Sequence, residues 1–128
     1  GFSDITVLLL LFWQKFKMPA IHGSVLTALI DKQANMLNPI ISVLSSHEMK
    51  FALNPLNERA NNAVITSKIT GGNLAVICHL IGSTLTIDTN DKIVFLEDIN
   101  EKGYHVHRYL LQMKNAGLFS GAQAVIFG

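Results

Sequence analysis

Ser3 and the pair Glu97-Asp98 have the types and neighbours to do covalent chemistry. Ser3, in Gly1-Phe2-Ser3-Asp4, stands directly before an apolar stretch that reads as a helix. A serine at such a junction can be held on a tight turn with its hydroxyl exposed. The first helical N–H groups, that of Asp4 included, then lie near enough to stabilise an oxyanion. A plain N-cap is the commoner role for Ser3 or Asp4 in this place. The G-x-S-x-G elbow is not met, because Ile5-Thr6 follow without a second glycine. Glu97 and Asp98 end the apolar run Ile93-Val94-Phe95-Leu96, and catalytic groups of α/β folds gather at the carboxyl ends of strands. A carboxylate there can hold an imidazole in its working tautomer and stabilise the imidazolium that forms. Capping of the next segment, or pairing with Arg108, accounts for the same acids equally well. Glu101 shares this ambiguity and reads as a rim or structural residue.

The remaining candidates are weaker. Gly71-Gly72-Asn73 precedes a helical stretch and could form an anion-binding nest, but a diglycine there more often serves backbone geometry. No P-loop lysine and no G-x-G-x-x-G pattern accompanies it, so nucleotide binding is not supported. Of the five histidines, His105 and His107 are two apart on a helical stretch and point in different directions. His22 precedes a glycine and reads as a packing or turn residue; His47 and His79 read as surface and helix positions. No metal set emerges, and no cofactor is expected. Cys78 reads as a small buried hydrophobe.

These residues need elements to position them. Thr6 to Lys17 is apolar around most of its circumference, which predicts a helix buried on several sides and ended by Pro19. Ala20-Ile21 reads as a very short strand. A second helix covers Asn38 to Ser46, with Asn38 as N-cap and Pro39 at the first helical position. The polar, turn-rich stretch from Asn54 to Asn62 reads as a linker. Beyond it come a strand over Ala63–Ile69, the diglycine, a helix over Asn73–Ile81 and a buried strand over Lys92–Leu96. An amphipathic helix over Tyr104–Asn115 follows, closed by Gly117, and then a strand over Ala124–Phe127. Strands alternating with helices predict an α/β fold. With 49% hydrophobic residues, 15% charged residues and a net charge of +1, the chain buries much of itself and has no basic stripe for nucleic acid. The single cysteine suits a reducing cytoplasm. The run Ile5 to Trp13 is shorter than the roughly 20 residues of a membrane span, so no membrane partner is expected. A chain that begins at Gly1 rather than Met reads as though cut from something longer.

Taken in order, the motifs carry more than any one of them. Gly1-Phe2-Ser3-Asp4-Ile5-Thr6, His22-Gly23, Gly71-Gly72-Asn73-Leu74, Ile81-Gly82-Ser83-Thr84 and Ile93 through Glu101 form a series. With Tyr104, Arg108, Leu110-Leu111-Gln112-Met113 and Ala116-Gly117, it closely resembles the LD-carboxypeptidase family, the serine peptidases of cell-wall recycling. The LEDxxE block followed by an arginine-bearing helix is the most specific part. The resemblance implies an α/β chain comprising the end of an N-terminal parallel-sheet nucleophile domain (residues 1–54), a linker (55–62) and most of a smaller C-terminal α/β domain (63–128). It implies Ser3 as nucleophile and Glu97 as triad acid. The Asp4 backbone N–H would be one oxyanion donor, and the catalytic histidine would lie outside this chain. It also implies a peptide or muropeptide substrate cut at an L-diamino acid–D-alanine amide, and it is compatible with a homodimer in the intact parent. Ser24, Thr66-Ser67 and Ser83 depart from the family's usual pattern. They leave room for a non-catalytic relative that serves as a peptide-binding or interaction module.

Overall fold

The computed structural model describes residues 3–23, 37–45, 52–61 and 64–128. Gly1, Phe2, Ser24, His47 and the end of the polar stretch at Asn62 lie outside them. Chain contacts divide into two compact units, one of Gly1–His22 with Ile65–Gly128 and one of Gly23–Val64.

The first unit is an α/β layer around a three-stranded parallel sheet of order β1-β2-β3, formed by Lys68–Asn73 (β1), Lys92–Glu97 (β2) and Ala124–Phe127 (β3). Parallel neighbours need crossovers, and helices supply them: Leu74–His79 (α4) joins β1 to β2, and Gly103–Asn115 (α5) joins β2 to β3. β2 is paired on both edges, and its Val94 and Leu96 are fully buried. The core gathers Leu10, Leu74, Ile77, Cys78, Ile87, Val94, Leu96, Met113 and Leu118. α4 and α5 are stitched together there: Cys78 Sγ donates to the Tyr109 carbonyl at 3.3 Å, and Gln112 Nε2 donates to the Cys78 carbonyl at 3.1 Å. Gly117, at φ 77, closes α5 as its position in the sequence predicts.

A further helix, Thr6–Phe16 (α1), packs on β1 and α4. Its end is set by Lys17, which adopts the left-handed conformation at φ 55 and donates to the Trp13 carbonyl, two residues before the proline expected to stop it. α1 is buried on one face, through Thr6 and Leu10, while Ile5, Leu8, Phe12 and Phe16 form an exposed stripe. All-round apolarity predicts cover on several sides; among the described residues the sheet layer supplies one.

Two other expectations fail. Ala20-Ile21 is irregular, not a strand. The strand expected over 63–69 begins only at Lys68 and runs on through Gly71 and Gly72 to Asn73, while Val64 is 96% exposed. The diglycine is therefore strand backbone, not a turn. Both glycines sit at positive φ, 139 and 142, and a Cβ on Gly71 would run into the Phe95 carbonyl. The close pairing of β1 with β2 needs the missing side chains more than the β-branched residues upstream.

In the second unit, Leu37–Leu44 (α2) is a helix extended by a Ser45 N–H to Ile41 carbonyl bond of 2.9 Å, close to the bounds expected around Asn38-Pro39. Glu58–Asn61 (α3) is a single exposed turn inside the polar stretch, with Asn57 Oδ1 accepting from the Ala60 N–H at 3.0 Å. No helix among the described residues is long and apolar enough to cross a membrane.

Candidate active site

The three parallel strands end on one side of the sheet, where Asn73 and Glu97 are register partners. The turn that feeds α1 comes to the same place. Ser3–Ile5 is a 3-10 turn packed on β1, and Ser3 itself sits at φ 59. A non-glycine residue in that region carries about 1–3 kcal/mol of strain, and such strain persists only where the surroundings impose it. Thr6 imposes it. This side chain is wholly buried, and its Oγ1 accepts the Asn73 N–H at 3.0 Å. Gly72 leaves the room, since a Cβ there would approach the Thr6 side chain to 2.7 Å. The N-cap position of α1 is Ile5, with no side-chain cap. Capping is therefore not the part Ser3 or Asp4 plays among the described residues. Ser3 is half-buried and Asp4 exposed.

Asp98 locks the acidic end of β2. Its Oδ1 accepts from Asn73 Nδ2 at 3.2 Å and from the Ile99 N–H at 2.9 Å, and its Oδ2 accepts from the Ala75 N–H at 3.1 Å. Asn73 in turn caps α4, its Oδ1 accepting from the Val76 N–H at 3.1 Å. Asp98 thus caps the preceding helix as well as the Ile99 N–H that opens the next segment. The N–H groups that an anion-binding nest would need at Asn73, Ala75 and Val76 already have oxygen partners, so the nest reading fails.

Glu97 points away from that clamp and meets His22. His22 Nε2 lies 3.5 Å from Glu97 Oε1, and the ring packs edge-on against Phe95 with centroids 5.7 Å apart. Phe95 and Glu97 share a face of β2 because side chains alternate along a strand. Glu97 Oε1 and His22 Nδ1 are both buried without a hydrogen-bond partner among the described residues. Burial lowers the imidazole pKa below its ordinary 6.5, with the neighbouring Glu97 carboxylate working in the opposite direction. Burial therefore favours the neutral ring. A cavity of about 340 Å³ lies beside it, walled by Leu9, Leu10, Trp13, His22 and Phe95 among others. Neither Ser3 nor Glu97 lines that cavity.

Arg108 pairs with neither Glu97 nor Asp98 among the described ion pairs; its guanidinium lies 5.3 Å over the Tyr104 ring. Glu101 Oε2 accepts from His105 Nδ1 at 2.6 Å, four residues along the chain. Burial pushes the Cys78 thiol up to about 11, which makes it an inert core group. Among the described residues no cluster of three or more His, Cys, Asp or Glu could hold a metal ion.

Thr6 and His22 matter to the site more than their sequence context signals. Thr6 lies inside the SDIT run, where its contact with a strand 67 positions away has no local signature. His22, before a glycine, has the context of a packing or turn residue, and nothing in its spacing connects it to Glu97.

Comparison with known proteins bears on the same region. Residues 66–128 match the LD-carboxypeptidase C-terminal domain. A Rickettsia conorii protein named as a carboxypeptidase is 35% identical over 134 residues, covering 100% of this chain and 42% of the relative. A Bacillus subtilis protein named as a murein peptide carboxypeptidase is 29% identical over 133 residues, covering 98% and 41%. The crystal structure of the muramoyltetrapeptide carboxypeptidase of Oxalobacter formigenes superposes with a TM-score of 0.77 at 28% identity, covering 100% of this chain and 44% of that one. A microcin C7 self-immunity protein shares the fold, with a TM-score of 0.78 at 19% identity over 100% of this chain and 48% of that one. The chain thus spans less than half the length of these relatives. With its parallel α/β sheet and the LED block at the end of β2, this chain belongs to the LD-carboxypeptidase family.

Proposed function

We propose that this chain forms part of a cytoplasmic serine carboxypeptidase that removes the terminal D-alanine of muropeptides by cutting an L-diamino acid–D-alanine amide. Ser3 is the nucleophile, Glu97 the triad acid and the Asp4 N–H one oxyanion donor. The catalytic imidazole comes from residues beyond this chain. In this reading residues 1–54 complete a nucleophile domain, 55–62 link it to the next, and 63–128 begin the domain that supplies the acid.

The observation that carries the reading is the junction of Ser3 with the strand end. A strained serine heads α1, α1 is bonded through Thr6 to Asn73, and Asn73 is the register partner of Glu97. A hydroxyl and a carboxylate brought into one compact unit, the carboxylate at the carboxyl-terminal end of a parallel strand, fit a triad that needs one more imidazole. In catalysis that imidazole takes the Ser3 proton as the hydroxyl attacks the amide carbonyl. It then returns the proton to the departing D-alanine nitrogen, and water hydrolyses the acyl-serine.

The test is D-alanine release from a muramoyl tetrapeptide by the full-length protein, together with fluorophosphonate labelling. Ser3→Ala should abolish the label and cut turnover by about 10³-fold or more. Glu97→Ala should retain the label and cut turnover by about 10²–10⁴-fold. Full turnover in Ser3→Ala defeats the assignment. Tetrapeptide binding with neither label nor turnover would favour a binding module instead.

A further inference from the structure

We infer that His22 is a positioning residue for Glu97, donating from Nε2 to Oε1 and holding the carboxylate at the angle from which it meets the catalytic imidazole. The inference rests on the triad reading above and adds to it a residue that the triad does not contain.

Geometry carries it. Glu97 Oε1 is buried and has no hydrogen-bond partner among the described residues, and His22 Nε2 lies 3.5 Å from it. Buried polar atoms in native proteins are paired, and a formed N–H···O bond is about 2.9 Å long. A modest rotation of either side chain closes the remaining gap. The tautomer follows from the surroundings. Nε2 faces a carboxylate oxygen, whereas Nδ1 is buried with no described acceptor. The single proton of the neutral ring therefore belongs on Nε2.

The same facts argue that His22 is not the base. A triad imidazole must offer one nitrogen to the acid and the other to the serine. Here the nitrogen left over, Nδ1, is shut from solvent, and no described group reaches it. His22 arrives from the segment after α1, on whose N-terminal turn Ser3 sits. It thereby ties the nucleophile's helix to the acid through a side chain, as Thr6 does through the backbone of Asn73.

The test uses the full-length protein and two variants that divide packing from hydrogen bonding. His22→Leu keeps an apolar body against Phe95 and loses the donor; His22→Gln keeps an N–H near the position of Nε2. The expected result is a kcat about 10²-fold lower in His22→Leu, the scale of a misplaced catalytic group, with KM within about twofold and Ser3 labelling retained. His22→Gln should recover most of the rate. Thermal melts show whether each variant is folded. A His22→Leu enzyme of unchanged kcat overturns the proposal, as does a folded His22→Gln enzyme as slow as His22→Leu. Loss of activity in both equal to that of Ser3→Ala would instead make His22 the base. Ser3→Ala and Glu97→Ala, run alongside, report on the triad itself, so its failure is read separately from that of His22.

Discussion

Thr6, Asn73 and Asp98 fix the positions of Ser3 and Glu97 without being chemical groups of the proposed reaction. Thr6 receives the Asn73 N–H, Asn73 caps α4, and Asp98 holds both the Asn73 amide and the first turn of that helix. His22 completes this set from the other side, and its partial burial makes it a reporter. Its folded pKa lies below the 6.5 of a free imidazole because burial disfavours the cation, although Glu97 opposes that effect. A depressed histidine pKa contributes stability that is fully present above about pH 6.5 and lost as pH falls through the folded value. Melting temperatures measured from pH 7.5 to pH 5 should therefore fall less steeply in His22→Leu than in the parent. Parallel slopes would mean that the ring is already solvated. Ser3 and Glu97 were legible as candidates because a serine before a helix and an acid after a buried strand are local patterns. Their supporting residues were not, since Thr6 to Asn73 and His22 to Glu97 are contacts between distant segments that no periodicity records.

The elements follow the same division. α5 and β2 were legible because each has its full signal in one window: Val106, Leu110 and Met113 at helical spacing, and an apolar run ending in acids. β1 was misplaced because its upstream residues, Val64 and Ile65, look more like strand than Lys68–Asn73 does. Pairing decided otherwise: Gly71 stands opposite Phe95 and Gly72 opposite Leu96. This makes the diglycine a structural test of the fold. Gly71→Ala puts a methyl group into the Phe95 carbonyl at a φ of 139, with rigid backbone as the neighbour. Overpacking and a forbidden backbone region each cost about 1–3 kcal/mol, so the variant should lose at least about 2 kcal/mol in urea unfolding. Gly82→Ala meets no atom within 4 Å and differs only in its φ of 85, so it should cost less. Equal losses at the two positions would show that close strand pairing is not what Gly71 serves.

At the scale of the whole molecule, the parallel topology does most of the positioning. Successive crossovers through α4 and α5 return each strand in the same direction, so the ends of β1 and β2 must lie side by side. Such a sheet is stable only where helices cover it, and protection should follow that cover. β2, hydrogen-bonded on both edges and buried at Val94 and Leu96, should exchange its amide protons most slowly, together with the α5 turn around the fully buried Met113. β3 has a pairing partner on one edge among the described residues, and Phe127 is 46% exposed, so its amides should exchange faster than those of β2. α3, a single turn with every residue exposed, should exchange near the rate of an unstructured peptide. α2, whose Ile41 and Leu44 are more than half exposed, should open independently of the sheet if the two compact units are separate cooperative bodies. Hydrogen exchange read by mass spectrometry across a denaturant series separates the outcomes. Convergence of α2 and β2 on one opening free energy would mean that the chain unfolds as a single body. An α2 that opens at low denaturant while β2 stays protected would place the cooperative core in the sheet unit, which holds Ser3, His22 and Glu97.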